Sequence, residues 1–193
     1  MFVTKAEIQT RRTDRLLLRP VRDDDIDAML TYRNDPQVYE WLLTTKVEPA
    51  SFRKTWLGAL DNPRDYSVVA ELDGNVVGTG SLDLLDGMGQ DKAPESESSE
   101  ALIGYILNPA FAGYGYATEI ARELLVMAFD ELEAHRAIAG CFVDNVASVR
   151  VLEKIGMRRE QYGVKDSWHA ERGWLDGATY GLLREEWLAG QRA

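Results

Sequence analysis

The stretch from Glu100 to Glu119 constrains this chain most. Leu102 to Leu107 is a short apolar and aromatic run, the pattern of a buried strand. Asn108-Pro109 ends it, because proline has no N–H for a ladder and turns the residue before it away from helix. From Ala117 the pattern is helical, with Ile120, Leu124, Met127 and Ala128 on one face. Gly113 and Gly115 fall where the turn becomes the helix. The first N–H groups of a helix have no partner within it, and its dipole places partial positive charge there. Glycines keep Cβ atoms away from those donors, so phosphate binding is the natural use of such a junction. A tight turn that binds nothing is the plain alternative, since a lone Gly-x-Gly is a weak signal.

Two other phosphate loops do not fit. A P-loop needs Gly-Lys-Ser/Thr, and no lysine follows these glycines. A dinucleotide fingerprint needs a third glycine where Thr118 stands, and an acidic residue about 20 positions on, where the chain reads Ala134-His135-Arg136.

A second stretch accompanies the first: Asp144-Asn145-Val-Ala-Ser148, then Glu153-Lys154-Ile-Gly156-Met157. Together with Tyr105-Ile-Leu-Asn-Pro and Ala112-Gly-Tyr-Gly-Tyr-Ala-Thr-Glu119, it resembles the acyl-CoA-binding motifs of the GCN5-related N-acetyltransferases, most closely their ribosomal-protein N-terminal acetyltransferase branch. The resemblance covers residues 13–188. It implies a single-domain α/β acyl-CoA N-acyltransferase fold, with a mixed central sheet flanked by helices and splayed central strands. It also implies acetyl transfer from acetyl-CoA to a primary amine, with no metal.

Composition bounds the partners. A hydrophobic content of 45% and a charged content of 28% are those of a globular chain. No run approaches the roughly 20 apolar residues of a membrane span, and the first residues lack the pattern of a signal peptide. The one cysteine, Cys141, permits no internal disulfide, so a cytoplasmic site is expected. A net charge of −10 opposes nucleic-acid binding and favours a cationic acceptor, although acidic surfaces also serve solubility. The expected acceptor is a small-molecule amine or a protein N-terminus, without nucleic acid or membrane. A homodimer stays open.

The remaining elements follow from local signals. Leu16 to Leu18 is a first strand, stopped by Pro20. Asp23-Asp-Asp25 places charge at the start of a helix running from Asp24 to Arg33. A short helix carries Val38, Trp41 and Leu42, and another spans Pro49 to Leu60. Trp41 and Trp56 are expected in the core rather than in a pocket wall. Tyr66 to Leu72 and Val76 to Leu82 form a hairpin through Asp73-Gly74-Asn75. Residues 85–99 lack periodicity and read as a mobile, disordered insertion. Ala137 to Val143, Arg158 to Val164 and Ala178 to Leu183 complete the strands, and Asn145 caps the last helix of the pattern.

The resemblance assigns the site. A bulge in the central strand would splay it from its neighbour. Pantetheine would enter the gap and pair with main-chain groups of Ile106, Leu107 and Asn108. The loop Gly113, Tyr114, Gly115, Tyr116, Ala117 and Thr118 would hold the pyrophosphate. Asn145 would bond the pantetheine amide. Arg122, Arg150 and Lys154 are candidates for the outer phosphate. An N–H near Leu107 would stabilise the oxyanion. Three positions depart from the pattern. The usual glutamate before Ile-Gly-Tyr is Leu102, leaving Glu100, two residues earlier on the same strand face, as the candidate catalytic base acting through water, with a solvated strand-end carboxylate as the plain alternative. The usual helix tyrosine is Leu152, leaving Ser148 as the hydroxyl that protonates the thiolate. The side chain at the head of the loop is reduced to Ala112. His135 suits a helix C-terminus, and His169 lies on the acceptor side without a clear claim as base. Leu102 and Leu152 also keep open an acyl-CoA-binding module without turnover, and the helix terminus alone would serve a nucleotide-binding domain.

Overall fold

A computed structural model describes residues 8–191. β1 (Arg11–Arg12) turns into β2 (Leu17–Arg19) around Thr13, whose Oγ1 accepts from Leu16 N–H at 2.9 Å. Pro20 ends the ladder. Helices α1 (Asp25–Arg33), α2 (Pro36–Tyr39) and α3 (Pro49–Ala59) follow. Asp35 and Glu48 cap α2 and α3 by accepting from backbone N–H groups, each just ahead of a proline whose missing donor costs nothing there. β3 (Val68–Leu72) and β4 (Asn75–Leu85) meet at Asp73-Gly74, with φ of 49° and 82°. Two positive φ values are what a tight, right-twisted hairpin requires.

β5 (Glu100–Leu107) then leads to α4 (Tyr116–Val126), which runs on through a wider turn to Glu131. β6 (Arg136–Phe142), α5 (Val146–Lys154), β7 (Arg158–His169), β8 (Gly173–Leu183) and α6 (Arg184–Gly190) complete the chain. One eight-stranded sheet has the order β1-β2-β3-β4-β5-β6-β8-β7, and β5–β6 is its parallel pair. The larger core lies between the sheet and α4–α5, around Leu82, Ile103, Ile120, Leu124 and Leu152. A smaller core lies under α1–α3, around Ile26, Met29, Phe52 and Val69. Gly80 permits this close packing, since a Cβ there would come within 3.0 Å of the Leu124 side chain.

The expected α/β fold with a mixed sheet is present. Several expectations differ. β1 and α6 were not foreseen, because one is too short for periodicity and the other lacks a cap signal. Residues 86–99 are not structureless: two 3₁₀ turns form, Gly87 N–H donates to Ser96 O at 2.8 Å, and Ser98 N–H donates to Asp86 at 2.9 Å. The turn-forming serines and aspartates that lowered hydrophobicity here make these local bonds. The central strand has no bulge against β4: pairing runs from Gly78↔Leu107 to Leu85↔Glu100 without a shift. The opening arises on the other side, where β5 pairs with β6 only from Glu100 to Leu102.

Asp25 was read as a charge for the helix dipole. It instead turns inward to Arg19, accepting from Nη1 at 2.7 Å and Nη2 at 2.8 Å, while Arg19 Nε donates to Glu71 at 2.8 Å. Arg19 and Asp25 are 4% and 6% exposed. Burial alone would raise the Asp25 carboxyl, but the bonds from Arg19 and from Arg22 N–H outweigh it and hold the group low. Asp25→Ala leaves a buried guanidinium without its main partner, so a loss of about 3–5 kcal/mol is expected by urea unfolding at neutral pH. A lowered carboxyl stabilises above its unfolded value, near 3.9, and that stabilisation fades as pH falls. The gap between wild type and variant therefore narrows in acid.

Candidate active site

The parting of β5 and β6 creates the site. Asn108 N–H donates to Val77 O at 2.8 Å, so it faces β4. Along an antiparallel ladder successive residues direct their main-chain groups to opposite sides. Ile106 therefore also faces β4, while Tyr105 and Leu107 face the opening that β6 has left. Of the three residues named for pantetheine, Leu107 turns its main-chain groups to the opening, while those of Ile106 and Asn108 turn to β4. The Asn108 side chain accepts from Ala110 N–H at 3.0 Å and stops the strand.

A cleft of 590 Å³ runs along this opening. Its walls include Tyr105, Ile106, Leu107, Gly113, Gly115, Tyr116, Ala117, Thr118, Asn145 and Ser148. Gly113 and Gly115 have φ of 86° and 85°, and Gly115 is the residue before α4. No side chain caps α4, so its leading N–H groups stay open to the cleft. Tyr114 turns outward, 66% exposed, with its ring 6.0 Å from that of Tyr116.

Arg15, which no motif flagged, buckles this loop to the first hairpin. Its guanidinium donates to Tyr114 O and to Glu119, both at 2.7 Å, and lies 4.5 Å over the Tyr116 ring. Glu119 also accepts from Arg15 N–H at 2.9 Å and from the Thr13 hydroxyl. The acidic end of the loop motif therefore holds the loop in shape, and an arginine remains beside the uncapped N–H groups of α4. Arg150 and Lys154 also line the cleft, exposed and without an ion-pair partner among the described residues. Arg122 lies in a neighbouring groove instead.

Asn145 Oδ1 accepts from Ser148 N–H at 3.1 Å, the expected cap of α5. The Ser148 hydroxyl plays no part in that cap. It lies 3.0 Å from the Tyr105 hydroxyl, and Cys141, half-buried, adjoins the pair. Burial pushes the Tyr105 phenol up to about 12, against a lowering by the Ser148 hydrogen bond. It therefore keeps its proton at neutral pH. Leu152 is 1% exposed and packs in the main core. A phenol from β5 thus stands beside the Ser148 hydroxyl on α5. Sequence patterns missed this because they compare positions along α5, and the substitute comes from another element.

A second cavity, of 480 Å³, opens on the α1–α3 face of the same gap. Trp41 borders both spaces, contrary to its expected core role. Asp83, Leu102, Gly104, Phe142, Thr179 and Trp168 line the second cavity. Glu100 is absent from its walls. It sits at the start of β5, opposite Leu85 and Arg136. His169 is 5% exposed, with its ring 5.5 Å from both Trp41 and Phe142. Its Nδ1 accepts from the N–H groups of Glu171 and Arg172, each at 3.2 Å. Those bonds assign the neutral ring's proton to Nε2, which is buried without a partner among the described residues. A ring with one nitrogen bonded and the other protonated is not set to take a proton from an amine. His135 stands apart from the cleft and the second cavity. No metal-holding group of three or more His, Cys, Asp or Glu occurs among the described residues, nor does a helix long and apolar enough to cross a membrane.

Strands that part beside a glycine-lined helix terminus make a cleft suited to an extended, phosphate-bearing ligand. The family description "Acetyltransferase (GNAT) domain" matches residues 15–158, and the chain belongs to that family of N-acetyltransferases. It is 30% identical over 178 residues to a Bacillus subtilis protein called uncharacterized N-acetyltransferase YnaD, covering 91% of this chain and 97% of that one. A solved GNAT-family acetyltransferase from Bacillus anthracis superposes with a TM-score of 0.77 at 29% identity, over 92% of this chain and all of that one. RimL, a ribosomal L7/L12 alpha-N-protein acetyltransferase solved in complex with coenzyme A, shares the fold with a TM-score of 0.76 at 18% identity, over 93% of this chain and 98% of that one.

Proposed function

We propose that the chain transfers an acetyl group from acetyl-CoA to a primary amine, by direct attack within a ternary complex. One observation carries this reading: two cavities, on either side of Trp41, open onto the same gap beside β5. One has the shape and donors for CoA and the other has room for an acceptor. Tyr105 and Leu107 pair with pantetheine as a neighbouring strand would, and a main-chain N–H of β5 toward the closed end of the gap meets the oxyanion. The N–H groups from Gly113 to Thr118 hold the pyrophosphate. Asn145 retains its NH₂ for the pantetheine amide, since its oxygen is taken by Ser148 N–H. Ser148, backed by Tyr105, protonates the departing thiolate. The acceptor is a small amine or a protein N-terminus; RimL, a protein acetyltransferase of the same fold, supports the second. The acidic net charge of −10 suits either one as a cation. The compartment we propose is the cytoplasm, where Cys141 stays reduced.

The alternative of a binding module without turnover drew on Leu102 and Leu152. Leu152 lies in the core, so it removes nothing from the cleft. Release of free CoA thiol across a panel of peptides, amino acids and polyamines tests the proposal, and CoA binding with no release from any of them would overturn it. The outer phosphate has its own test. Removing both Arg150 and Lys154 as alanines is expected to weaken CoA about tenfold while leaving dephospho-CoA unchanged, the loss of roughly 1.4 kcal/mol of charge pairing. Calorimetry with both ligands measures it.

A further inference from the structure

The attacking nitrogen arrives as an ammonium ion, so transfer needs a group that takes its proton. The family's usual position is Leu102, which cannot. Asp83 is the antiparallel partner of Leu102 on β4. Directly paired residues share one face, with Cβ atoms about 5 Å apart. Asp83 therefore presents a carboxylate beside the place that Leu102 leaves empty of one, and both line the 480 Å³ cavity.

We propose that Asp83 is the general base for the amine, an assignment that rests on the acetyl-transfer reading. Three features fit it for the task. Its side chain has no hydrogen-bond partner among the described residues, so the carboxylate oxygens are unclaimed. No lysine or arginine lines the cavity to hold it ionised. Burial first, and then the nearby charge of Asp65, raise its pKa toward the working range of a base. Asp65 reaches it through an isolated bridge between the two residues, and one Asp65 oxygen already accepts from Ser67 N–H at 2.9 Å. The other titratable groups on the cavity are Asp166 on β7, which accepts from Gly177 N–H at 3.0 Å, and Cys141 on β6. Glu100 shares the strand face but lies outside the cavity.

The proton balance closes. Asp83 takes one proton from the ammonium and passes it to water. The free lone pair forms the C–N bond, and the C–S bond breaks. The second proton shed by nitrogen replaces the one that Ser148 gives to sulfur.

The test is Asp83→Asn, which keeps size and polarity. Its turnover should fall about 100-fold at neutral pH, the low end for a positioned base. The Michaelis constant for acetyl-CoA should hold, and the acidic limb of the pH–rate profile should disappear. Asp65→Asn should move that limb to lower pH, because a like charge has gone. Rates are read as CoA thiol release with spermidine, an alanyl peptide and L-amino acids, and as slow acetyl-CoA hydrolysis, where water replaces the amine at the same position. Full turnover with an intact acidic limb in Asp83→Asn overturns the base and leaves acetyl transfer standing. A wild type that binds CoA yet shows neither transfer nor hydrolysis overturns the acetyl-transfer reading and the base with it.

Discussion

Gly115→Val is expected to abolish CoA binding in a protein that still folds. Gly115 sits at φ 85°, ahead of the uncapped N–H groups of α4. A β-branched residue avoids that region, so the loop must either store strain or turn its donors away. Among the described residues beyond its chain neighbours, an added Cβ would meet only Arg15 Nη2, at 3.6 Å, so the core is not disturbed. The branched side chain would instead occupy space that the pyrophosphate needs. Gly74→Val is a matched control: its φ is 82°, and it lies in the β3–β4 turn, outside the cleft. Both variants should lose about 1–2 kcal/mol of stability from the left-handed backbone. Calorimetry should then show CoA binding in the control and none in Gly115→Val. Equal affinity in the two would mean that phosphate is held elsewhere.

Ser148→Ala is expected to lower turnover by roughly ten- to a hundredfold, with little change in CoA affinity. The α5 cap uses the Ser148 N–H, which alanine retains, so the melting temperature should hardly move. Tyr105→Phe should reproduce the loss, because its hydroxyl lies 3.0 Å from Ser148 Oγ and the two act as one relay. The double variant should then be little worse than either single one. A thiol titrates near 8.5, so above that pH the thiolate departs without help. The deficit should shrink as pH rises past this value. Full activity with a lowered melting temperature would leave Ser148 a structural role only.

The parts of this site that were legible in the sequence are those set by neighbours along the chain. The Asp73-Gly74 turn, the glycine-to-helix junction and the Asn145 cap each follow from a few adjacent residues. The parts that were not legible depend on pairing between distant segments. Arg15 meets Glu119 from the first hairpin, Tyr105 meets Ser148 from another element, and Asp83 meets Leu102 across a ladder. Strand register decides each of these, and nothing local to either residue reports it. The same cause explains the missing bulge. A strand can leave its neighbour by shifting register on one side or by diverging on the other, and the sequence of β5 alone does not distinguish the two.

The sheet of this protein is left unfinished in its middle, with the outward main-chain groups of Tyr105 and Leu107 beyond the reach of β6. In the proposed pairing CoA supplies the missing rung, and whatever binds only the folded form also weights the balance toward it. At a hundredfold excess over its dissociation constant, a ligand adds about 2.7 kcal/mol, a large share of the margin that keeps an ordinary domain folded. On that pairing, resistance to unfolding is coupled to the supply of the co-substrate, and withdrawing CoA is expected to lower the melting temperature and quicken proteolysis of the purified protein.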